Sequence, residues 1–390
     1  MDFMQEIEKK RLCVFSFYDE KGCVDDYVFF LLQEIKPFLK KIIIVINGEI
    51  NECARKTFSL FTDGIYIREN KGFDAGAYRH ILLHCVTEEE LKSYDEIIFC
   101  NNTFFGPLYP FAEIFMKANR MNRDFWGLTG YADVVFSHIQ SFFLVFGKKI
   151  IDRGFLTEYF RYYIDENTDD ISIVYCQFET GLFDYLTRKC QMTYGIIAEL
   201  YDLDMYLDSY RCLTQDKVPV IKKKVFNNMV DCPENVWRTI SYIKYYTSYD
   251  VRLILDYLSR VYSYNINFSE ILPPETYPFP PKMGMPVPCC SDVDIENFLQ
   301  GGTYYIYGAG IYAYKAYWRY AREIDGLKGF VVSDYVTDKP DTLFGYPVRF
   351  FHEVRNEQNI RILLGVKTAY ADEIEQELRS EATYDILRIF

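Results

Sequence analysis

The chain opens on an apolar run at residues 11–17 (RLCVFSF), suited to a buried strand of a parallel sheet, with Tyr18-Asp19-Glu20-Lys21-Gly22 following as a polar loop. Val28, Leu31, Leu32, Ile35 and Leu39 then recur at helical spacing, with Pro37 near the end. A second strand, IIIVI (42–46), stops at the turn pair Asn47-Gly48, and after another helix GIYIREN (64–70) gives a third. A helix from about Ala75 to Cys85 comes next, then one capped by Thr87 with Glu90 three residues on. The strand EIIFC (96–100) runs straight into Asn101-Asn102-Thr103. This alternation predicts an α/β fold, a parallel sheet with helices on both faces. Ligands of such sheets bind beyond the carboxyl ends of the strands. Tyr18-Asp19, Asn47-Gly48, Asn70 to Gly76 and Asn101 to Thr103 are therefore expected along one rim.

Beyond residue 125 the pattern is less regular, with SFFLVFG (141–147) reading as a further strand and 230–265 as helical. The stretch ILPPETYPFPPKMGMPVP (271–288) has too many prolines for a helix interior or central strand and reads as an extended linker. Three parts result: a first domain over 1–229, a helical extension and linker over 230–288, and a small Rossmann-like α/β unit over 289–390. That last part runs strand, glycine turn, helix (TYYIYGAGIYAYKAYWRYA, 303–321), then the strand GFVVS (329–333) ending at Asp334, then RILLGV (361–366) and a helix around 371–380.

Composition narrows the partners. A formal net charge of −13 argues against nucleic acid, which is bound by surplus Lys and Arg, and against general attraction to anionic lipid. Lys222, Lys223 and Lys224 are a local exception, read either as a solvated turn or as a contact to a membrane surface or diphosphate. Aromatic residues reach 18%, with 35 Tyr, which fits sugar sites as well as core packing. Eleven Cys, an odd count without paired metal spacing, suit reduced thiols. His80 and His84 lie four apart on a predicted helix without a third ligand nearby and read as ordinary helix residues. The opening MDFMQE is too acidic for a signal peptide, and no stretch approaches ~18 uninterrupted apolar residues. A cytoplasmic protein is expected, with membrane contact limited to the peripheral kind.

Three constellations carry candidate chemistry. In Arg68-Glu69-Asn70-Lys71-Gly72-Phe73-Asp74-Ala75-Gly76, glycines flank an acid just after a strand, which lets backbone approach a ligand and leaves Asn70 and Asp74 for hydroxyls or a base edge; helix capping explains the same letters. The second, Asn101-Asn102-Thr103, stands where GT-A enzymes usually carry a short acidic metal motif. Asn and Thr are weaker ligands for a hard cation, so the motif does not favour Mg²⁺ or Mn²⁺. The third, Gly308-Ala309-Gly310-Ile311-Tyr312-Ala313, fits the G-x-G-x-x-A turn, with Asp334 about where a ribose-binding acid belongs. It is a possible second nucleotide site, and close packing of helix on strand explains it too.

Several runs together resemble the rhamnan synthesis F family of glycosyltransferases: RENKGFDAGAYRHIL (68–82), YDEIIFCNNTFFGPLYP (94–110), WGLTGY (126–131), HIQSFFLVFGKKII (138–151) and FETGLFDYL (178–186), with VPVIKKKVF (218–226) a weaker tail. The resemblance implies a GT-A-like domain that transfers L-rhamnose from a dTDP donor, with inversion, to a cell-surface polysaccharide precursor, the acceptor being a glycan or lipid-linked glycan. It departs at Asn102, where such proteins often show Asp. On this footing Tyr18, Asp19, Asn47, Asn70, Gly72, Asp74, Gly76, Asn101, Asn102, Thr103, Gln140 and Ser141 are candidate nucleotide-sugar contacts. Glu179, read as opening a helix late in the domain, is the candidate base, with Asp133 in reserve. Two other classes compete: a catalytically silent sugar-nucleotide sensor or scaffold, and an NAD-linked enzyme working from the C-terminal unit.

Overall fold

The computed structural model describes residues 8–62, 64–131, 137–200, 203–229, 232–280, 290–337, 339–366, 368–381 and 384–389. Two compact units result: one of residues 1–131, 138–174 and 185–285, the other of 132–137, 175–184 and 286–390. Asp133 lies outside the described residues.

The first unit's strands are β1 (Arg11–Phe17), β2 (Lys41–Asn47), β3 (Ile65–Arg68), β4 (Glu96–Asn101), β5 (Phe104–Phe105), β6 (Phe125–Tyr131), β7 (His138–Ile139), β8 (Phe143–Gly147), β9 (Tyr194–Glu199) and β10 (Ile221–Lys222). Its main sheet runs β3-β2-β1-β4-β8-β6-β7, with β9 added beside β6. β2 and β4 flank β1 in parallel, so that Phe15 lies opposite Ile44 on one side and Cys100 on the other. β3 continues the parallel set beside β2. The other half of the sheet departs from the parallel expectation, because β8 runs antiparallel to both β4 and β6. The link from β6 to β8 is short, runs from residue 132 to 142 and carries the strand β7, and parallel neighbours need a longer crossover.

Helices α1 (Asp26–Ile35), α2 (Glu52–Ser59) and α3 (Phe73–His80) alternate with β1 to β4. α1 turns Val28, Leu31, Leu32 and Ile35 inward as the spacing predicts, together with Tyr27, while Leu39 lies past the end of the helix. A π-helical turn, Ile81–Cys85, prolongs α3. Tyr78 stacks on Phe99 at 4.2 Å between centroids, pinning α3 to β4. Thr87 accepts from the Glu90 amide, the predicted cap.

Two features differ from the sequence reading. Helices Pro233–Tyr246 and Arg252–Tyr262 belong to the core of the first unit: Ile240, Ile243, Ile254 and Leu258 are fully buried in the cluster that holds Phe15, Phe17 and Leu31. The proline-rich stretch is no free linker up to residue 280. Arg238 donates to the Tyr277 and Pro278 carbonyls, Lys244 to the Ile271 carbonyl and Arg211 to the Pro280 carbonyl, which supplies the partners its own backbone lacks.

The second unit's strands are β11 (Tyr304–Tyr307), β12 (Leu327–Val332), β13 (Thr342–Leu343), β14 (Tyr346–Phe350), β15 (Arg361–Leu364) and β16 (Asp385–Arg388). They form one sheet in the order β13-β14-β12-β11-β15-β16, parallel except for the edge strand β13. The order reverses direction between β11 and β15, as in doubly wound folds.

Gly130 tests the packing of β6 against its neighbours. A Cβ there would stand 2.5 Å from the His138 carbonyl oxygen and 2.9 Å from Ile196 Cδ1. Gly130→Ala is expected to lower unfolding free energy by about 2 kcal/mol in urea titrations, from overpacking alone. An unchanged midpoint would contradict the β7-β6-β9 arrangement.

Candidate functional site

Because β1, β2, β3 and β4 are parallel, their carboxyl ends lie along one edge. Asn102, just past β4 and 4% exposed, ties that edge together. Its Oδ1 accepts from the Tyr18 amide at 3.2 Å and its Nδ2 donates to the Tyr18 carbonyl at 2.9 Å. Tyr27 of α1 donates its hydroxyl to the Asn102 carbonyl at 2.9 Å. Next to it, Asn101 donates to Asp74 Oδ2 at 2.8 Å, while its Oδ1 accepts from the amide and hydroxyl of Thr103. Asp74 Oδ1 accepts from the Ala75 amide. Asn47, at the end of β2, donates to Ser16 Oγ and to the Phe73 carbonyl, and accepts from Arg68 of β3 at 2.8 Å. Gly72 and Phe73 both hold positive φ, 62° and 50°, so α3 starts from a strained turn. A side chain at Gly72 would meet the backbone of Glu166 at 2.8 Å, and one at Gly76 the Lys71 carbonyl at 2.5 Å. Asn70 sits in this turn with its buried Oδ1 lacking a hydrogen-bond partner. The structure thus brings Tyr18, Asn47, Asn70, Gly72, Asp74, Gly76, Asn101, Asn102 and Thr103 to one edge.

Cationic side chains close on the same edge from residues distant in sequence. β10 pairs antiparallel with β5, and the Lys223 amide donates to the Thr103 carbonyl. Lys222 Nζ stands 2.6 Å from Thr103 Oγ1 and 4.3 Å from the centre of the Phe142 ring. Lys223 Nζ donates to the Tyr27 hydroxyl at 2.9 Å and lies 4.7 Å from the Tyr257 ring centre. Burial pushes its amine down to about 8, against the pull of Asp25 and Asp19. Arg260, from the helix 252–262, reaches Asp25 and, at 2.7 Å, Asp19. Burial raises Asp19, but hydrogen bonds from the Cys23 amide, Arg260 and the Lys21 amide outweigh it and hold the carboxyl below its usual range. Asp19 thus shapes its own loop and anchors a guanidinium. Sequence reading missed Tyr27, Arg68 and Arg260. Arg260 in particular carries no local signal, since only the tertiary fold brings an amphipathic helix 235 residues downstream of Asp25 onto this edge.

Gln140 and Ser141 stand between β7 and β8. Gln140 Oε1 accepts from Thr129 Oγ1 at 2.7 Å, and the residue is 5% exposed. Glu179 falls in the 175–184 segment of the second unit. It does not open a helix, because helical structure begins at Ile171, where Asp170 Oδ1 accepts from the Ser172 amide, and residues 175–180 form a π turn within it. The helix-start argument for that residue therefore drops away.

A divalent cation fits this edge poorly. Both polar atoms of the Asn102 side chain are committed to the Tyr18 backbone, Asn101 Oδ1 serves Thr103, and Asp19 and Asp25 serve Arg260. Asp74 in turn accepts from the Ala75 amide and from Asn101, and a hard cation asks for several oxygen ligands. Among the described residues no group of three or more His, Cys, Asp or Glu could hold a metal.

In the second unit, Gly308 follows β11 directly at φ 119°, and a Cβ there would stand 2.6 Å from the Gly365 carbonyl oxygen. Its glycine is demanded by strand-end packing. Gly310 faces open space instead. Asp334 Oδ1 accepts from the His352 amide at 3.0 Å and meets His352 Nδ1 at 2.8 Å. Burial raises this carboxyl, and the His352 amide and ring outweigh it to hold it low.

A family model described as rhamnan synthesis protein F matches residues 42–277. Virulence protein VirA of Vibrio anguillarum is 30% identical over 122 residues, which is 31% of this chain and 38% of that protein. The chain thus matches well under half the length of these curated relatives. Among solved structures, a 4-diphosphocytidyl-2C-methyl-D-erythritol synthase from Anaerococcus prevotii shares 13% identity over 50% of this chain and 89% of that one, with TM-score 0.32. A cytidylyltransferase from Leptospira borgpetersenii shares 9% identity over 65% of this chain and 95% of that one, also with TM-score 0.32.

Two substitutions probe the edge. Asn102→Ala removes both links to Tyr18 and is expected to cost about 2–3 kcal/mol in urea unfolding. Lys223→Met should act oppositely at pH 7, adding about 1 kcal/mol, because a half-buried ammonium is replaced by an apolar stem. The folded-state amine titrates near 8 and the unfolded one at its ordinary 10.5, so wild-type stability rises between those values as the folded form sheds its proton. The advantage of Lys223→Met should therefore shrink from pH 7 towards pH 10, which unfolding curves at both values would reveal.

Proposed function

The chain belongs to the rhamnan synthesis protein F family, and on that premise we propose that it is an inverting GT-A-like glycosyltransferase that moves L-rhamnose from a dTDP donor to a glycan or lipid-linked glycan. The observation that carries the reading is the convergence of Asn47, Asp74, Asn101, Asn102 and Tyr18 on the carboxyl edge of four parallel strands, where α/β sheets bind nucleotides. In the reaction the acceptor hydroxyl attacks the anomeric carbon, the bond to the diphosphate breaks with its electron pair leaving on the diphosphate, and a carboxylate takes the hydroxyl proton. Glu179 is the proposed carboxylate, on the family pattern alone. Among the described residues no helix is long and apolar enough to cross a membrane. We place the protein at the cytoplasmic membrane face, where a lipid-linked acceptor is reached by peripheral contact.

A catalytically silent sugar-nucleotide sensor is the second reading. It is favoured by one observation: the side chains of Asn101 and Asn102, in the motif position, are spent on internal hydrogen bonds.

Thermal-shift measurements with dTDP, UDP, GDP and NAD separate these from an NAD-linked enzyme. A ligand that binds the native state raises the melting temperature, by about 2.7 kcal/mol of stability at a hundredfold excess over Kd. A nucleoside diphosphate is expected to stabilise the protein and NAD to leave it unchanged. Stabilisation by NAD alone would defeat the reading. Donor hydrolysis lost in Glu179→Gln by about 10²-fold or more, with binding intact, assigns catalysis to that carboxylate; unchanged turnover removes it.

A further inference from the structure

We propose that Arg260 is a positioning residue of the donor site: its guanidinium cancels the charge of Asp19 and Asp25 and holds both on the loop after β1, so that an anionic nucleoside diphosphate meets no net repulsion at the carboxyl edge. The inference rests on the nucleotide-sugar reading above and deepens it. Asp19 directly follows Tyr18, whose backbone is bound both ways by Asn102, so its carboxylate belongs to the edge itself. Asp25 stands one residue before α1, whose Tyr27 donates to the Asn102 carbonyl. Left alone, two carboxylates so close to the rim would oppose an anionic ligand.

Both carboxylates are engaged at each oxygen. The fork of Arg260 takes the two oxygens of Asp25, Nε to Oδ1 and Nη2 to Oδ2 at 2.6 Å each, and Nη2 also reaches Asp19 Oδ2 at 2.7 Å. Asp19 spends its other oxygen on the loop, accepting from the Lys21 and Cys23 amides. Asp25 is the N-cap of α1, yet its side chain accepts no amide of that helix. An aspartate at this position ordinarily caps the helix it precedes. Here the local bond gives way to a pairing with a residue 235 positions downstream.

The cation is delivered by a firmly held element. Arg260 lies in the last turn of the helix Arg252–Tyr262, where the helix dipole favours positive charge, and buried Ile254, Leu255, Tyr257 and Leu258 anchor that helix. The loop is pinned a second time at Gly22: the Asn51 amide donates to its carbonyl, and a Cβ there would stand 2.7 Å from the Glu49 carbonyl oxygen. The shape of the loop thus does not hang on Arg260 alone, and what the guanidinium adds is charge. Lys223 faces the same two carboxylates, but burial pushes its amine down to about 8, so its charge is the less secure of the two.

Calorimetric titration of the full chain with dTDP and with UDP, at about 50 mM salt to limit screening, tests this, with melting curves to show that each variant is folded. At least one diphosphate should bind the wild type, and Arg260→Met should weaken it about tenfold or more, while Arg260→Lys, which keeps the charge and loses the fork, should stay within about threefold. Adding Asp25→Asn to Arg260→Met should recover at least about threefold of that loss, which a role confined to folding would not give in a protein folded throughout. Asp25→Asn alone leaves the guanidinium with surplus charge and should tighten binding. Wild-type affinity in Arg260→Met overturns the inference and leaves the nucleotide reading intact, as does further weakening in the double variant. No diphosphate binding by the wild type removes the nucleotide reading and this inference with it. If Arg260→Met does not fold, Asp25→Asn alone decides: affinity equal to or below that of wild type overturns the inference.

Discussion

The site edge depends on one buried amide. Asn102 satisfies both polar groups of Tyr18 and takes the Tyr27 hydroxyl on its own carbonyl, so the loop after β1, the loop after β4 and the first turn of α1 form a single hydrogen-bonded unit. A buried side-chain amide left with unmet partners costs more than it yields when paired. The three elements therefore hold one geometry together or lose it together. Lys223 and Thr103 are attached to the same unit through Tyr27 and through the β5–β10 ladder. An aspartate at position 102 lacks the donor that reaches the Tyr18 carbonyl unless it is protonated. Asn102 is thus tied to how this edge is closed.

The same edge shows stability traded for electrostatics. Lys223 stays half-buried with its amine depressed, although Met would fill the space between Tyr27 and Tyr257 at less cost. Asp19 and Asp25 would offset the amine more strongly if they did not also serve Arg260. The guanidinium holds both carboxylates on the loop side, Lys222 meets Thr103 and the Phe142 ring, and Lys223 meets the Tyr27 hydroxyl and the Tyr257 ring.

Much of the first unit was legible because its strands are buried on both faces and read as unbroken apolar runs: 11–17, 42–46 and 96–100 lie within one residue of the observed bounds. The rim followed from parallel order alone, since parallel strands put their carboxyl ends on one side. What stayed hidden was long-range. β8 was recognised as a strand, but its antiparallel direction depends on pairing partners that no local pattern names. Arg260 was not singled out at all, and the packing of the helix 252–262 against α1 is what brings it onto Asp25 and Asp19; Lys223 was read with its basic run as a solvated turn or a contact to a membrane surface or diphosphate, and the structure half-buries it against Tyr27 and Tyr257. Glu179 shows the opposite failure, where a plausible local signal, Phe178-Glu179-Thr180-Gly181 read as a helix opening, was overruled by a helix already under way from Ile171.

The two glycine-bearing turns, one in each unit, illustrate how far letters and geometry diverge. Gly72 and Gly308 both take positive φ and both have backbone where a Cβ would stand, so each is required by the chain itself before any ligand is considered. At Gly72 the neighbouring groups remain polar and directed to the edge, with Asp74, Asn101 and Asn70 gathered beyond it. At Gly308 the matching acid, Asp334, is turned onto the amide and ring of His352. The motif in the second unit is therefore explained by strand-end packing at a switch point, and a nucleotide there would have to displace His352 from the carboxylate. In the first unit the polar groups around Gly72 stay tied to the carboxyl ends of the parallel strands, with Asp74 joined to Asn101 and Phe73 to Asn47, which is why the functional argument belongs to Gly72 and its neighbours.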